Sequence, residues 1–80
     1  MLTVVETPGY LRRAEGLLDA DERAKVIDMV AASPAAGDLI QGTGGLRKVR
    51  IALSGRGKSG GARLITFFHD LAMPVFLITI

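Results

Sequence analysis

Cysteine is absent from the chain, which excludes a disulfide framework and any thiolate metal site and points to a reducing compartment. Long apolar runs are missing too. The longest, Met73 to Ile80, falls far short of the roughly 20 residues that cross a bilayer. Met1 to Tyr10 carries neither the basic start nor the apolar stretch of a secretory signal. A cytoplasmic protein with no membrane partner is therefore expected. His69 is the sole histidine; beside Asp70 at the expected end of a strand, it reads as structural rather than catalytic. Glu6, Glu15, Asp19, Asp21, Glu22, Asp28 and Asp38 are dispersed or placed for helix capping. Neither a carboxylate pair for acid–base work nor a metal-binding cluster is expected, and no cofactor is implied.

The last shortage is of acid in one region. From Leu39 to His69 the sequence has no Asp or Glu, yet it carries Arg47, Lys48, Arg50, Arg56, Lys58 and Arg63, a charge of +6 against −4 for the remainder. The net charge of +2 hides this polarity. Gly37 to Arg63 also holds eight of the ten glycines. Cations concentrated in this way repel one another unless an anion compensates them, so a polyanion such as RNA or DNA, or an acidic protein segment, is the expected partner.

Eighty residues make one small domain, 1–80, of modest core. Leu2 to Val5 is β-prone and runs into Thr7-Pro8-Gly9, which reads as a turn. Tyr10, Leu11, Ala14, Leu17 and Leu18 fall at helical spacing. Asp19 with Glu22 matches a capping box, starting a second helix whose apolar set includes Val26, Ile27, Met29 and Val30. That helix should stop near Ser33-Pro34. Beyond it the period changes to two. Leu39-Ile40 is a short extended piece, and Leu46 to Leu53 places Val49, Ile51 and Leu53 on one face and Lys48 and Arg50 on the other. Ala62 to His69 and Val75 to Ile80 complete the strands. The order predicts an α+β fold: a short N-terminal strand, two helices, then an antiparallel sheet of three to four strands covered on one side.

Two nucleotide motifs lie in the glycine-rich loop. Gly55 to Gly60 fits G-x-G-x-x-G, and Ala52 to Ser59 fits a relaxed phosphate-binding loop. Both require a helix immediately afterwards, whose amides and dipole hold the phosphate. Ala62 to Phe68 has the composition of a strand, so nucleotide binding is not expected. The glycines instead allow a basic hairpin loop to bend.

The run Gly37-Asp38-Leu39-Ile40-Gln41-Gly42-Thr43-Gly44-Gly45-Leu46-Arg47-Lys48-Val49-Arg50, followed by Gly55-Arg56-Gly57-Lys58-Ser59-Gly60-Gly61-Ala62-Arg63 and the strand with Phe67-Phe68, closely resembles the HigB branch of the RelE/ParE toxin superfamily. The resemblance covers nearly the whole chain. It implies the toxin of a type II toxin–antitoxin pair, a ribosome-dependent endoribonuclease that cleaves mRNA and halts translation, with a cognate antitoxin as partner. In such enzymes the RNA's own 2′-hydroxyl attacks the adjacent phosphate, so neither metal nor nucleotide cofactor takes part. By matching positions the resemblance implies Lys48, Arg50 and Arg63 as catalytic, and Arg47, Arg56 and Lys58 as contacts to RNA phosphates. Members usually continue past the last strand into a C-terminal helix that contributes further catalytic side chains, whereas this sequence stops at Ile80. The expected alternative is thus a shortened, non-catalytic form that still binds antitoxin or RNA through its basic sheet face. Gyrase inhibition, as in ParE-like relatives, fits the cationic strand less well.

Overall fold

The computed structural model describes residues 2–53 and 61–80. Its elements are β1 (Val4–Glu6), α1 (Pro8–Leu17), α2 (Ala20–Ala32), β2 (Asp38–Leu39), β3 (Leu46–Ala52), β4 (Gly61–Phe67) and β5 (Val75–Thr79). The fold is α+β, as the sequence predicts.

Thr7-Pro8-Gly9 is a helix start rather than a turn. The Thr7 side chain accepts from the Tyr10 amide at 3.3 Å, and Pro8 sits in the first turn, where its missing N–H is not needed. The same hydroxyl donates to the Leu77 carbonyl at 2.7 Å, fastening the start of α1 to β5. The capping box of α2 is present in both directions. The Glu22 amide donates to Asp19 Oδ1 at 2.8 Å, and the Asp19 amide donates to Glu22 Oε1 at 3.0 Å. The helix ends at Ser33, directly before Pro34.

The sheet has five strands in the order β1-β5-β4-β3-β2, not three to four, and it is mixed rather than antiparallel. The difference lies in β1, which pairs in parallel with β5 (Val4 opposite Val75, Glu6 opposite Leu77). Parallel neighbours need a long crossover, and the whole run from α1 to β4 supplies it. Nothing in the composition of a three-residue strand specifies that partner.

Alternation divides the sheet into two unlike faces. Tyr10 and Ala14 of α1, and Val26 and Val30 of α2, are buried in one cluster. Val49, Ile51, Leu64, Val75 and Leu77 meet them there from the sheet. The side chains between these strand residues point the other way. Lys48, Arg50 and Arg63 are exposed on that second face, and Ile65, Phe67 and Phe76 are half-buried. No described helix covers it. Among the described residues no helix is long and apolar enough to cross a membrane.

Candidate functional site

The open face takes its character from the β3–β4 ladder. Arg50 stands directly opposite Arg63, Lys48 opposite Ile65 and Leu46 opposite Phe67. Opposed residues of an antiparallel pair have Cβ atoms about 4.5–5.5 Å apart, and like charges placed so are destabilising. The arginines therefore repel across the ladder, and Lys48 adds a third cation along the same side of β3. Their neighbours do not neutralise them. The Arg23–Glu6 ion pair at 2.8 Å and the His69–Asp70 contact at 3.8 Å both leave out Lys48, Arg50 and Arg63.

β2 supplies one acid to this cluster. Asp38 lies opposite Lys48, and with Lys48, Arg50 and Arg63 it lines a cleft of about 200 Å³. A second cleft of about 230 Å³ adjoins it, lined by Arg50, Gly61, Ala62 and Arg63. These volumes lie below the roughly 300–1,000 Å³ of sites that engulf a small molecule. They suit a short portion of an extended ligand, such as a phosphate with its neighbouring sugar. Three cations converging on one cleft can hold a phosphoryl group and stabilise negative charge that builds on its oxygens.

β2 is held in place by a close backbone approach. Gly37 has φ +91, and a Cβ there would come within 2.3 Å of the Lys48 carbonyl oxygen and 2.7 Å of Val49 Cγ2. Only glycine fits this geometry. The Ile40 amide donates to Leu46 O at 2.8 Å, closing the β2–β3 turn. Inside that turn the Thr43 hydroxyl donates to Ile40 O at 2.6 Å and accepts from the Leu46 amide at 3.0 Å.

The residues expected to act together from the sequence thus separate into three groups. Lys48, Arg50 and Arg63 meet on one face. Arg47 is on the other: it pairs in register with the buried Thr66, and its guanidinium donates through Nη1 to Ala35 O at 3.3 Å. Arg47 thus braces the segment after α2 and stands apart from the cation cleft. Arg56 and Lys58, with the two nucleotide motifs, lie outside the described residues; the chain resumes at Gly61 as β4, a strand. Asp38 is the residue that composition alone left among the dispersed acids. Its signal was its place as the one acid between Gly37 and Arg63.

His69 is exposed, and its Nδ1 lies 3.0 Å from the Gly44 carbonyl oxygen. A carbonyl only accepts, so Nδ1 carries the proton. His69 ties the end of β4 to the glycine turn. Among the described residues no group of three or more His, Cys, Asp or Glu side chains could hold a metal ion. No family model matches the chain.

Proposed function

We propose that this chain is the toxin of a type II toxin–antitoxin pair, with a RelE-like fold of the HigB kind, and that it cleaves mRNA on the ribosome in the cytoplasm. The observation that carries the reading is the opposed Arg50–Arg63 pair, with Lys48 beside it, on a sheet face that no described helix covers. Direct cation opposition destabilises a sheet, and a phosphodiester bound across the ladder turns that repulsion into attraction. The resemblance of the Gly37–Arg63 run to HigB sequences supports the same reading.

In the proposed reaction the ribose 2′-oxygen bonds to the adjacent phosphorus and the bond from phosphorus to the 5′-oxygen breaks. The 2′-hydroxyl loses a proton, the departing 5′-oxygen gains one, and a 2′,3′-cyclic phosphate is left. Arg50 and Arg63 stabilise charge on the non-bridging oxygens, and Lys48 completes the cationic set. Arg56 and Lys58 add phosphate contacts that place the strand, and Arg47 supports the strand on which Lys48 and Arg50 stand.

Induced expression in a cell lacking the antitoxin tests this. Growth arrest with codon-linked cuts in mRNA is expected, with Lys48→Ala or Arg63→Ala lowering cleavage roughly 100-fold or more. Normal growth with soluble protein present would overturn the reading.

A second reading rests on the half-buried Ile65, Phe67 and Phe76 that share the open face with the cations. Apolar and basic surface side by side fits a protein segment carrying apolar and acidic residues. Such a segment is the chemistry expected of an antitoxin, and a non-catalytic chain would still bind it or RNA. Retained binding with no RNA cleavage is the outcome that separates this reading from the first.

A further inference from the structure

We propose that Asp38 is the hydroxyl acceptor of the cleft, holding the ribose 2′-OH of a strand whose phosphate lies on Arg50 and Arg63; the proposal rests on the RNA-cleaving reading above. Register places Asp38 opposite Lys48, and its side chain lines the cleft shared with Lys48, Arg50 and Arg63. A carboxylate in a phosphate site looks misplaced, because it repels the anion that the cations attract.

Two bland explanations fail on geometry. Among the described residues Asp38 forms no ion pair with Lys48, although the two stand opposite each other. Nor does it cap a helix, since it belongs to β2. The approach that puts it there is nevertheless specific, because Gly37 at φ +91 packs its α-carbon against the Lys48 carbonyl with no room for a side chain.

An ionised carboxylate is an acceptor only, so its partner in the cleft must be a donor. On a nucleic-acid strand the donor carried next to a phosphate is the ribose 2′-hydroxyl, and it distinguishes RNA from DNA. An acceptor and a set of cations within one cleft of about 200 Å³ match that pairing of hydroxyl and phosphate. The hydroxyl is also the nucleophile of the proposed reaction, so the contact orients the attacking atom.

The test measures binding of the full chain at low salt to a short single-stranded oligoribonucleotide and to the DNA strand of the same sequence, by fluorescence anisotropy. The wild type is expected to prefer the ribonucleotide about tenfold, the scale of one hydrogen bond to a charged group. Asp38→Ala should bring that ratio close to one while DNA binding tightens, because a repulsive charge is gone. Asp38→Asn keeps an acceptor and nearly the same volume, so it should retain part of the preference. It also guards against misfolding of the alanine variant, which circular dichroism would reveal. Equal wild-type affinity for both strands, or an unchanged ratio in Asp38→Ala, would overturn the role of Asp38 and leave the cationic interface standing. Binding to neither strand would overturn both.

Discussion

Tyr10 has no exposed surface, and its hydroxyl has no hydrogen-bond partner among the described residues. Burial pushes its pKa above the ordinary 10.0, with the Glu6 carboxylate acting in the same direction and Arg23 opposing. The sign of the effect on stability follows from linkage. The unfolded chain releases this proton first as pH rises through about 10, so the stability present below that pH is lost as pH climbs toward the folded pKa. Tyr10→Phe should therefore flatten the alkaline fall in urea-derived stability between roughly pH 9 and 11. At neutral pH it should raise stability by about 1 kcal/mol, since a buried unpaired hydroxyl is removed. A steeper alkaline fall in the variant would contradict this account. In the sequence Tyr10 was visible as part of a helical apolar stripe, but its stranded hydroxyl was not. That depends on tertiary packing, which buries Tyr10 in the core and brings Glu6 of β1 and Arg23 of α2 near enough to act on it.

Among the described elements, β2 is the smallest, two residues long, and it carries the acid of the cation cleft, Asp38. Its position depends on Gly37. Gly37→Ala would place a methyl 2.3 Å from the Lys48 carbonyl in a backbone region that side chains rarely adopt. A loss of about 1–3 kcal/mol is expected in chemical denaturation, together with weakened discrimination between RNA and DNA. Unchanged stability would show that β2 is free to shift. The sequence revealed those elements whose signals are local. Asp19 and Glu22 lie three residues apart, and the Asp19–Glu22 box formed as expected. The alternation of Val49 and Ile51 with Lys48 and Arg50 likewise fixed the faces of β3. What stayed hidden was pairing between distant segments: the parallel β1–β5 ladder, the exact opposition of Arg50 and Arg63, and Asp38 beside Lys48. Each is a matter of register, which one strand's residues cannot specify.

Across the whole molecule, charge is balanced on one side and unbalanced on the other. The helices hold Glu15, Asp21, Glu22 and Asp28 against Arg12, Arg13, Arg23 and Lys25, whereas the far face of the sheet sets Lys48, Arg50 and Arg63 against Asp38. Binding of single-stranded RNA should weaken steeply with salt, by a log–log slope of about −0.7 for each phosphate neutralised. Arg63→Gln should make that slope shallower by about 0.7 and lower the affinity. It should also leave the thermal midpoint unchanged or raised, since relief of the Arg50–Arg63 repulsion is worth up to about 1 kcal/mol. A variant that loses stability along with binding would point to a structural role for Arg63 instead.

The parallel ladder also sets a schedule. β5 lies between β1 and β4 in the sheet, and Thr7 reaches Leu77 across 70 residues. Closing a loop of that length carries an entropy term of about 4 kcal/mol before any contact repays it. During synthesis, β1 and the apolar faces of both helices therefore wait without β5, the strand that joins β1 to the rest of the sheet, until Val75 to Thr79 has left the exit tunnel. The chain spends that interval as an incomplete sheet, with its core accessible to chaperones or to a partner made alongside it.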